Sequence, residues 1–277
     1  AAARLFATGP AGTSGSGTGP SMSPHPSLME HLSLCLNVVC GRYLREGQQI
    51  ESGMLLQPEV PKRAQVNGPY GNPGGPESRF RGLRGYNGEM PCTTLAQEIT
   101  TPGPEQVRAL IVNGGNPVAA WPDQVKTLAA MESLELLVVI DHRMTQTAEF
   151  ADYIFAPRLS LERADVPPFR GRWFRRAYAC YAAAVLEPEG DGLSDWEGYD
   201  GISERLGVQI ELVGGPIPSA EDGPVTDDEV LDLVYAKSRV PLDEIREKNG
   251  QVLLDRTITV GAPDPAAASA RSSWRNL

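Results

Sequence analysis

Between positions 107 and 157 the apolar residues fall into three short unbroken runs, and each run ends abruptly in polar residues. "VRALIVNGGNP" predicts a buried strand that stops in a glycine loop, and "DQVKTLAAMESL" a helix. "ELLVVIDHR" predicts a second buried strand, "TQTAEFA" a short helix and "DYIFAP" a third strand. Continuous apolar strands alternating with helices predict a parallel sheet with helices on its faces, the α/β class. In a doubly wound sheet the ligand sits beyond the carboxyl ends of the strands. "NGGNP" and "DHRMT" both fall there.

The flanks are less regular. In "SLMEHLSLCLNVVCGRYL" (27–44), Leu28, Leu32, Leu36 and Val39 recur at helical spacing, with Ser27 as the expected N-cap and Gly41 as the stop. Residues 45–106 show little periodicity and many Gly and Pro, which predicts a long irregular segment. Residues 1–24 are rich in Gly, Ser, Thr and Pro, and read either as a flexible linker or as a glycine loop after a strand. Residues 158–200 read as loop, basic and then acidic. "DWEGYDGISERLG" (195–207) and "TDDEVLDLVYAKS" (226–238) predict helices, the latter capped by Thr226 with acidic residues in its first turn. A strand is expected after Asp255, followed by a low-complexity Ala/Ser tail.

Composition narrows the function. The 277 residues are 41% hydrophobic and 22% charged, enough to bury a sizeable core, and Gly and Pro together approach a fifth of the chain. A net charge of −10 argues against a nucleic-acid or anionic-membrane partner. Two stretches run against that sign, "RFRGLRGYNGEMP" (79–91) and "RGRWFRRAY" (170–178). Each reads as a solvated or salt-bridged surface, or else as contact with an anionic cofactor or partner domain. Cys35, Cys40, Cys92 and Cys180 form no C-x-x-C pair, and His25, His31 and His142 have no metal-ligand spacing. No apolar run is long enough to span a bilayer. The first residues, "AAARLFATGP", lack a Met and the build of a signal peptide, and suggest entry into mid-protein sequence. The acidic charge suits cytoplasm and periplasm alike.

The chemistry on offer is that of binding. The glycines of "NGGNP" let backbone N–H groups approach a phosphate, and Asn116 adds a donor and an acceptor; the same residues also make an ordinary turn. Asp141, at the end of the second strand, is placed to accept from ribose hydroxyls or a base edge. Its alternative role is to cap "TQTAEFA", for which Thr145 competes. Thr147 and Asp152 read as capping and loop residues. No G-x-S-x-G elbow or catalytic triad is present.

The order of these pieces resembles the third domain of the molybdopterin oxidoreductases, the family of formate dehydrogenases, nitrate reductases and dimethyl sulfoxide reductase. The resemblance is carried by "ALIVNGGNPVAAWPD", then "LELLVVIDHRMTQTAEFADYIFAPRLSLER". It extends to "GTSGSGTGPSMSPHPSLMEHLSLCLNVVCGRYLREG" before and to "GLSDWEGYDGISERLG" and "TDDEVLDLVYAKSRVPLDEIREKNG" after. It implies a Rossmann-like unit with flanking helices and loop-rich segments, the central fragment of a larger multidomain enzyme. The expected division is 1–106 as part of a preceding domain, 107–207 as the dinucleotide-binding domain and 208–277 as its extension.

The same resemblance implies a molybdenum or tungsten cofactor held as molybdopterin guanine dinucleotide. Asn116 would contact it. Asp141 would hold the guanosine end, with Ile140 contributing backbone. Arg163 and Asp195 fall at cofactor and nucleotide contacts, and Thr18 and Met22 near the pterin side. After "LER" the sequence departs from the family pattern as "ADVPPFRGRWFRRAYACY". The iron–sulfur cysteine motif, the metal ligand and the closing C-terminal barrel of the family are not in this chain. A formate-dehydrogenase-like oxidoreductase is therefore expected, whose remaining domains, and an electron-transfer subunit, would be the partners. The alternative is a molybdenum-free structural subunit akin to the large iron–sulfur subunit of respiratory complex I.

Overall fold

The structure, a computed structural model, describes residues 1–10, 12–51, 54–58, 60–65, 76–85, 89–167, 177–218, 223–248, 250–254 and 257–265. In chain order its elements are α1 (Ala2–Thr8), α2 (Thr18–Ser21), α3 (Pro26–Val39), β1 (Gln49–Glu51), α4 (Cys92–Thr100), β2 (Ala109–Asn113), α5 (Pro117–Ala120), α6 (Gln124–Ser133), β3 (Leu136–Ile140) and β4 (Tyr153–Phe155). Then follow β5 (Ala177–Cys180), α7 (Asp195–Arg205), β6 (Glu211–Leu212), β7 (Gly215–Pro216), α8 (Asp227–Val234), α9 (Leu242–Glu247), β8 (Gln251–Leu254) and β9 (Thr257–Thr259). The chain divides into two units: Ala1–Ser52 with Val60–Gly68 and Asp255–Leu277, and Gly53–Glu59 with Pro69–Leu254.

The larger unit carries the expected parallel sheet, in the order β2-β3-β4. Val112 pairs with Val139, and Val139 with Ile154. β3 lies in the middle and is buried from Leu137 to Ile140, which is why its sequence is an unbroken apolar run. Val112, Leu137 and Val139 pack with Ile99 of α4, Ala130 and Met131 of α6, Val118 and Ala148 in one core. "TQTAEFA" forms only a 3-10 turn, Ala148–Phe150. Asp152 accepts the Leu137 N–H at 2.7 Å and so satisfies the donor at the start of β3.

Helix α4 was not expected in the irregular 45–106 segment. Its buried face mixes Ile99 with Thr94 and Glu98, so the apolar period is broken. Glu98 is admitted to that face because Ser78 Oγ donates to it at 2.6 Å and Arg79 Nε pairs with it at 2.6 Å. Arg79 and Arg84, which pairs with Glu77 at 2.9 Å, give the first basic stretch its salt-bridged reading. Most of the second stretch, 170–176, lies outside the described residues.

A second core of the same unit gathers Leu55, Leu56, Val166, Ala177, Ala179, Val240, Leu242 and Ile245 beside the antiparallel β5–β8 pair. β5 and α9 were not expected either. The first pairs across 73 positions at Ala179 and Val252, beyond the reach of any local pattern. α7 and α8 begin where predicted; α8 is shorter, ending at Val234.

In the smaller unit the glycine-rich stretch is neither a bare linker nor a loop after a strand. It contains α1 and the single turn α2, and between them Ser14 is pinned to α3. Asn37, buried, accepts the Ser14 N–H and donates to the Ser14 carbonyl, each at 2.7 Å. α3 starts at Pro26 after His25 rather than from a Ser27 cap, and Gly41 at φ +64 follows its end. Leu28, Leu32 and Val39 are exposed, so of the predicted stripe only Leu36, half-buried, lies on the packed side with Asn37 and Ser33. β9 pairs antiparallel with β1, as the predicted C-terminal strand; the Ala/Ser tail from 266 lies outside the described residues.

Candidate cofactor-binding site

The site is built from the loops at the carboxyl ends of β2 and β3. Gly114 turns at φ +59, donates to the Ile140 carbonyl at 2.9 Å, and leaves open space where a Cβ would stand. Asn116 then locks this loop to the next. Its Oδ1 accepts from Thr147 Oγ1 at 2.8 Å and from the Thr147 N–H at 3.3 Å, and its Nδ2 donates to Gln146 Oε1 at 2.6 Å. Thr147 is fully buried and its hydroxyl accepts the Val118 N–H at 3.1 Å. Both ends of the Asn116 amide are thus engaged within the protein, and the outline of the double loop is set before any ligand arrives.

Asp141 sits at the head of the second loop, 9% exposed. Its N–H donates to the Phe155 carbonyl at 3.2 Å, which ties it to the end of β4. Its Oδ1 accepts the Arg143 N–H at 3.0 Å and lies 3.6 Å from His142 Nδ1. Among the described residues its other oxygen has no partner. The capping role goes to Thr145, whose hydroxyl accepts the Ala148 N–H at 3.2 Å.

The first turn of α7 forms a third wall. A Cβ on Gly198 would stand 3.8 Å from Ile140 Cδ1, so the helix start packs on the end of β3. Arg163 Nη1 lies 3.4 Å from Asp195 Oδ2, which joins two residues 32 positions apart. Arg163 Nε is buried and has no partner among the described residues. Ile140, Asp141 and Asn116 therefore share one edge of the sheet, and Arg163 and Asp195 form a pair at the helix that packs on it. Thr18 and Met22 belong to the smaller unit, Thr18 in α2 and Met22 just after it and exposed.

Sequence reasoning missed a buried polar cluster beneath α7. Ser194, 1% exposed, precedes the helix, and its N–H donates to Glu197. Its Oγ donates to Asp227 Oδ1, which also accepts from Trp196 Nε1 at 2.7 Å. Arg158 reaches the same group from the exit of β4. The S-x-x-E spacing of Ser194 and Glu197 was a readable helix-start signal; nothing local marks Arg158 or Asp227. Among the described residues no group of three or more His, Cys, Asp or Glu side chains is placed to hold a metal ion, and no helix is long and apolar enough to cross a membrane.

Comparison with known proteins places residues 37–205, more than half the chain, on the family model described as molybdopterin oxidoreductase. The chain is 31% identical over 114 residues to the "Probable oxidoreductase YyaE" of Bacillus subtilis, covering 41% of this chain and 17% of that protein. It is 30% identical over 137 residues to the dimethyl sulfoxide/trimethylamine N-oxide reductase of Cereibacter sphaeroides, covering 46% and 16%. Among solved structures, the acetylene hydratase of Pelobacter acetylenicus matches at 21% identity and a TM-score of 0.46, over 64% of this chain and 22% of that one. The chain spans less than a fifth of the length of the curated relatives just named.

Proposed function

The chain belongs to the molybdopterin oxidoreductase family, and from that premise we propose that its larger unit holds the nucleotide part of a molybdopterin guanine dinucleotide, in a formate-dehydrogenase-like molybdenum or tungsten oxidoreductase. The observation that carries the reading is Asp141: a buried carboxylate at the carboxyl end of the central parallel strand, with one oxygen engaged by its own loop. Such a position accepts from ribose hydroxyls or a base edge.

The donor set fits this group. Gly114 and the loop after it offer a backbone that a phosphate can approach closely, because no Cβ stands there. Arg163 supplies a cation with a nitrogen that has no protein partner among the described residues. Asp195, paired with that cation, is a carboxyl acceptor suited to the N1–H and 2-amino donors of guanine. Asn116 acts through the loop it locks, and Ile140 through its backbone and its contact with α7. Thr18 and Met22 remain the proposed pterin-side residues. When bound, the metal of such a cofactor passes two electrons between substrate and carrier, while the protein binds, orients and excludes water. The proposed partners are further domains of the same enzyme and an electron-transfer subunit. Any iron–sulfur cluster would be held by them.

The test is the metal and nucleotide content of the purified protein that carries this segment, by elemental mass spectrometry and guanine nucleotide release in acid. About one molybdenum or tungsten with guanine nucleotide is the expected result. A protein free of both would instead favour the molybdenum-free structural subunit.

A further inference from the structure

We infer that Arg158 is a positioning residue for the nucleotide site: it anchors the start of α7 to the exit of β4, and so fixes where Asp195 stands. The inference rests on the dinucleotide reading above.

The backbone supplies the first half of the anchor. Beyond β4 the chain runs parallel to the segment that leads into α7. Arg158 N donates to the Leu193 carbonyl at 2.8 Å, and Leu193 N to the Ala156 carbonyl at 3.0 Å. The Arg158 guanidinium supplies the second half. Its Nε donates to the Gly192 carbonyl at 3.3 Å and its Nη1 to Ser194 Oγ at 3.2 Å. Nη1 lies 3.6 Å from Asp227 Oδ2, and Nη2 lies 3.4 Å from Glu197 Oε2. One planar fork therefore meets the residue before α7, a carboxylate in its first turn and a carboxylate in the first turn of α8.

The charges make the arginine necessary. Glu197 and Asp227 are both brought to a largely buried place around Ser194, and Arg158 is the cation between them. Without it the two carboxylates repel, and the start of α7 loses its tie to the sheet. Asp195 is the next residue after Ser194, so its carboxylate moves with that turn. A binding group works only while its support holds it within a fraction of an ångström of its productive place. Lysine could neutralise the site but could not reach all four oxygen acceptors in one plane.

The experiment compares GDP and IDP binding to the full chain by calorimetry. IDP lacks the 2-amino group, so the GDP/IDP ratio reports the carboxylate that reads it. The wild-type ratio is expected to be about tenfold. Arg158→Met keeps the stem, and should bring the ratio close to one, as Asp195→Asn does, with no further fall in the double variant. Arg158→Lys should recover part of it, and it carries the test if the Met variant does not fold. Amide exchange should rise in the first turn of α7 and stay unchanged in β2 and β3. Wild-type discrimination with an unchanged ratio or unchanged exchange in the Arg158 variants overturns the role of Arg158 and leaves the dinucleotide reading intact. A wild-type chain that binds neither nucleotide overturns both.

Discussion

Asn116 and Thr147 stand 31 positions apart and are joined at 2.8 Å, so that the loops leaving β2 and β3 form one hydrogen-bonded unit. Thr147 is buried, and its hydroxyl also accepts the Val118 N–H. Thr147→Val should leave the Val118 donor unsatisfied and the Asn116 oxygen with only the Thr147 N–H, and cost about 2 kcal/mol. Asn116→Ala should cost a similar amount, and the double variant clearly less than the two added together, because both changes break one interaction. Urea unfolding of the four proteins measures it. Strict additivity would show that the lock does not hold the loops.

Asp141→Ala should act on retention rather than on folding. The only hydrogen bond of its side chain among the described residues is to the Arg143 N–H, so the stability loss should stay near 1 kcal/mol. Guanine nucleotide and metal content should fall severalfold in the purified protein. A variant that keeps its full content removes Asp141 from the site.

Glu98 makes stability depend on pH. Burial by itself pushes its carboxyl up, but hydrogen bonds from Ser78 and Arg79 and the charge of Arg79 outweigh it, and the net direction is down. A carboxyl with a depressed folded pKa stabilises above its unfolded value, about 4.3, and loses that stabilisation as pH falls through the folded value. Glu98→Gln should therefore cost about 2 kcal/mol at pH 7 and progressively less below about pH 4. Denaturant titrations at both pH values give the difference; a gap that persists unchanged in acid contradicts the assignment.

Gly250 joins α9 to β8 at φ +76, and a Cβ there would overlap the Tyr181 carbonyl oxygen. Gly250→Ala should cost more than about 2 kcal/mol. Gly207, at φ +68 with open space around it, is the control. Its alanine variant should cost only the left-handed penalty, about 1 kcal/mol. Equal thermal shifts would mean that the carbonyl yields.

What the sequence determined by itself was the central sheet and the polar residues at its strand ends. Three apolar runs and the helical stretches between them sufficed for β2, β3, β4 and α6, and the run is densest in β3, the central strand, because a strand buried on both faces must be apolar at every position. Asp141 and Asn116 were legible as the polar ends of such strands. Tertiary structure alone decided how they are used. The Asn116 amide is occupied by Thr147 and Gln146, Arg163 meets Asp195, and Arg158 gathers Ser194, Glu197 and Asp227 from two other places in the chain. α4 stayed hidden because Glu98 is buried only by virtue of Ser78 and Arg79, and β5 because its partner lies 73 positions away at Ala179 and Val252. Periodicity reports the burial of a face. It carries no information about which distant polar group will satisfy a buried charge or an open strand edge, since that depends on where the chain returns.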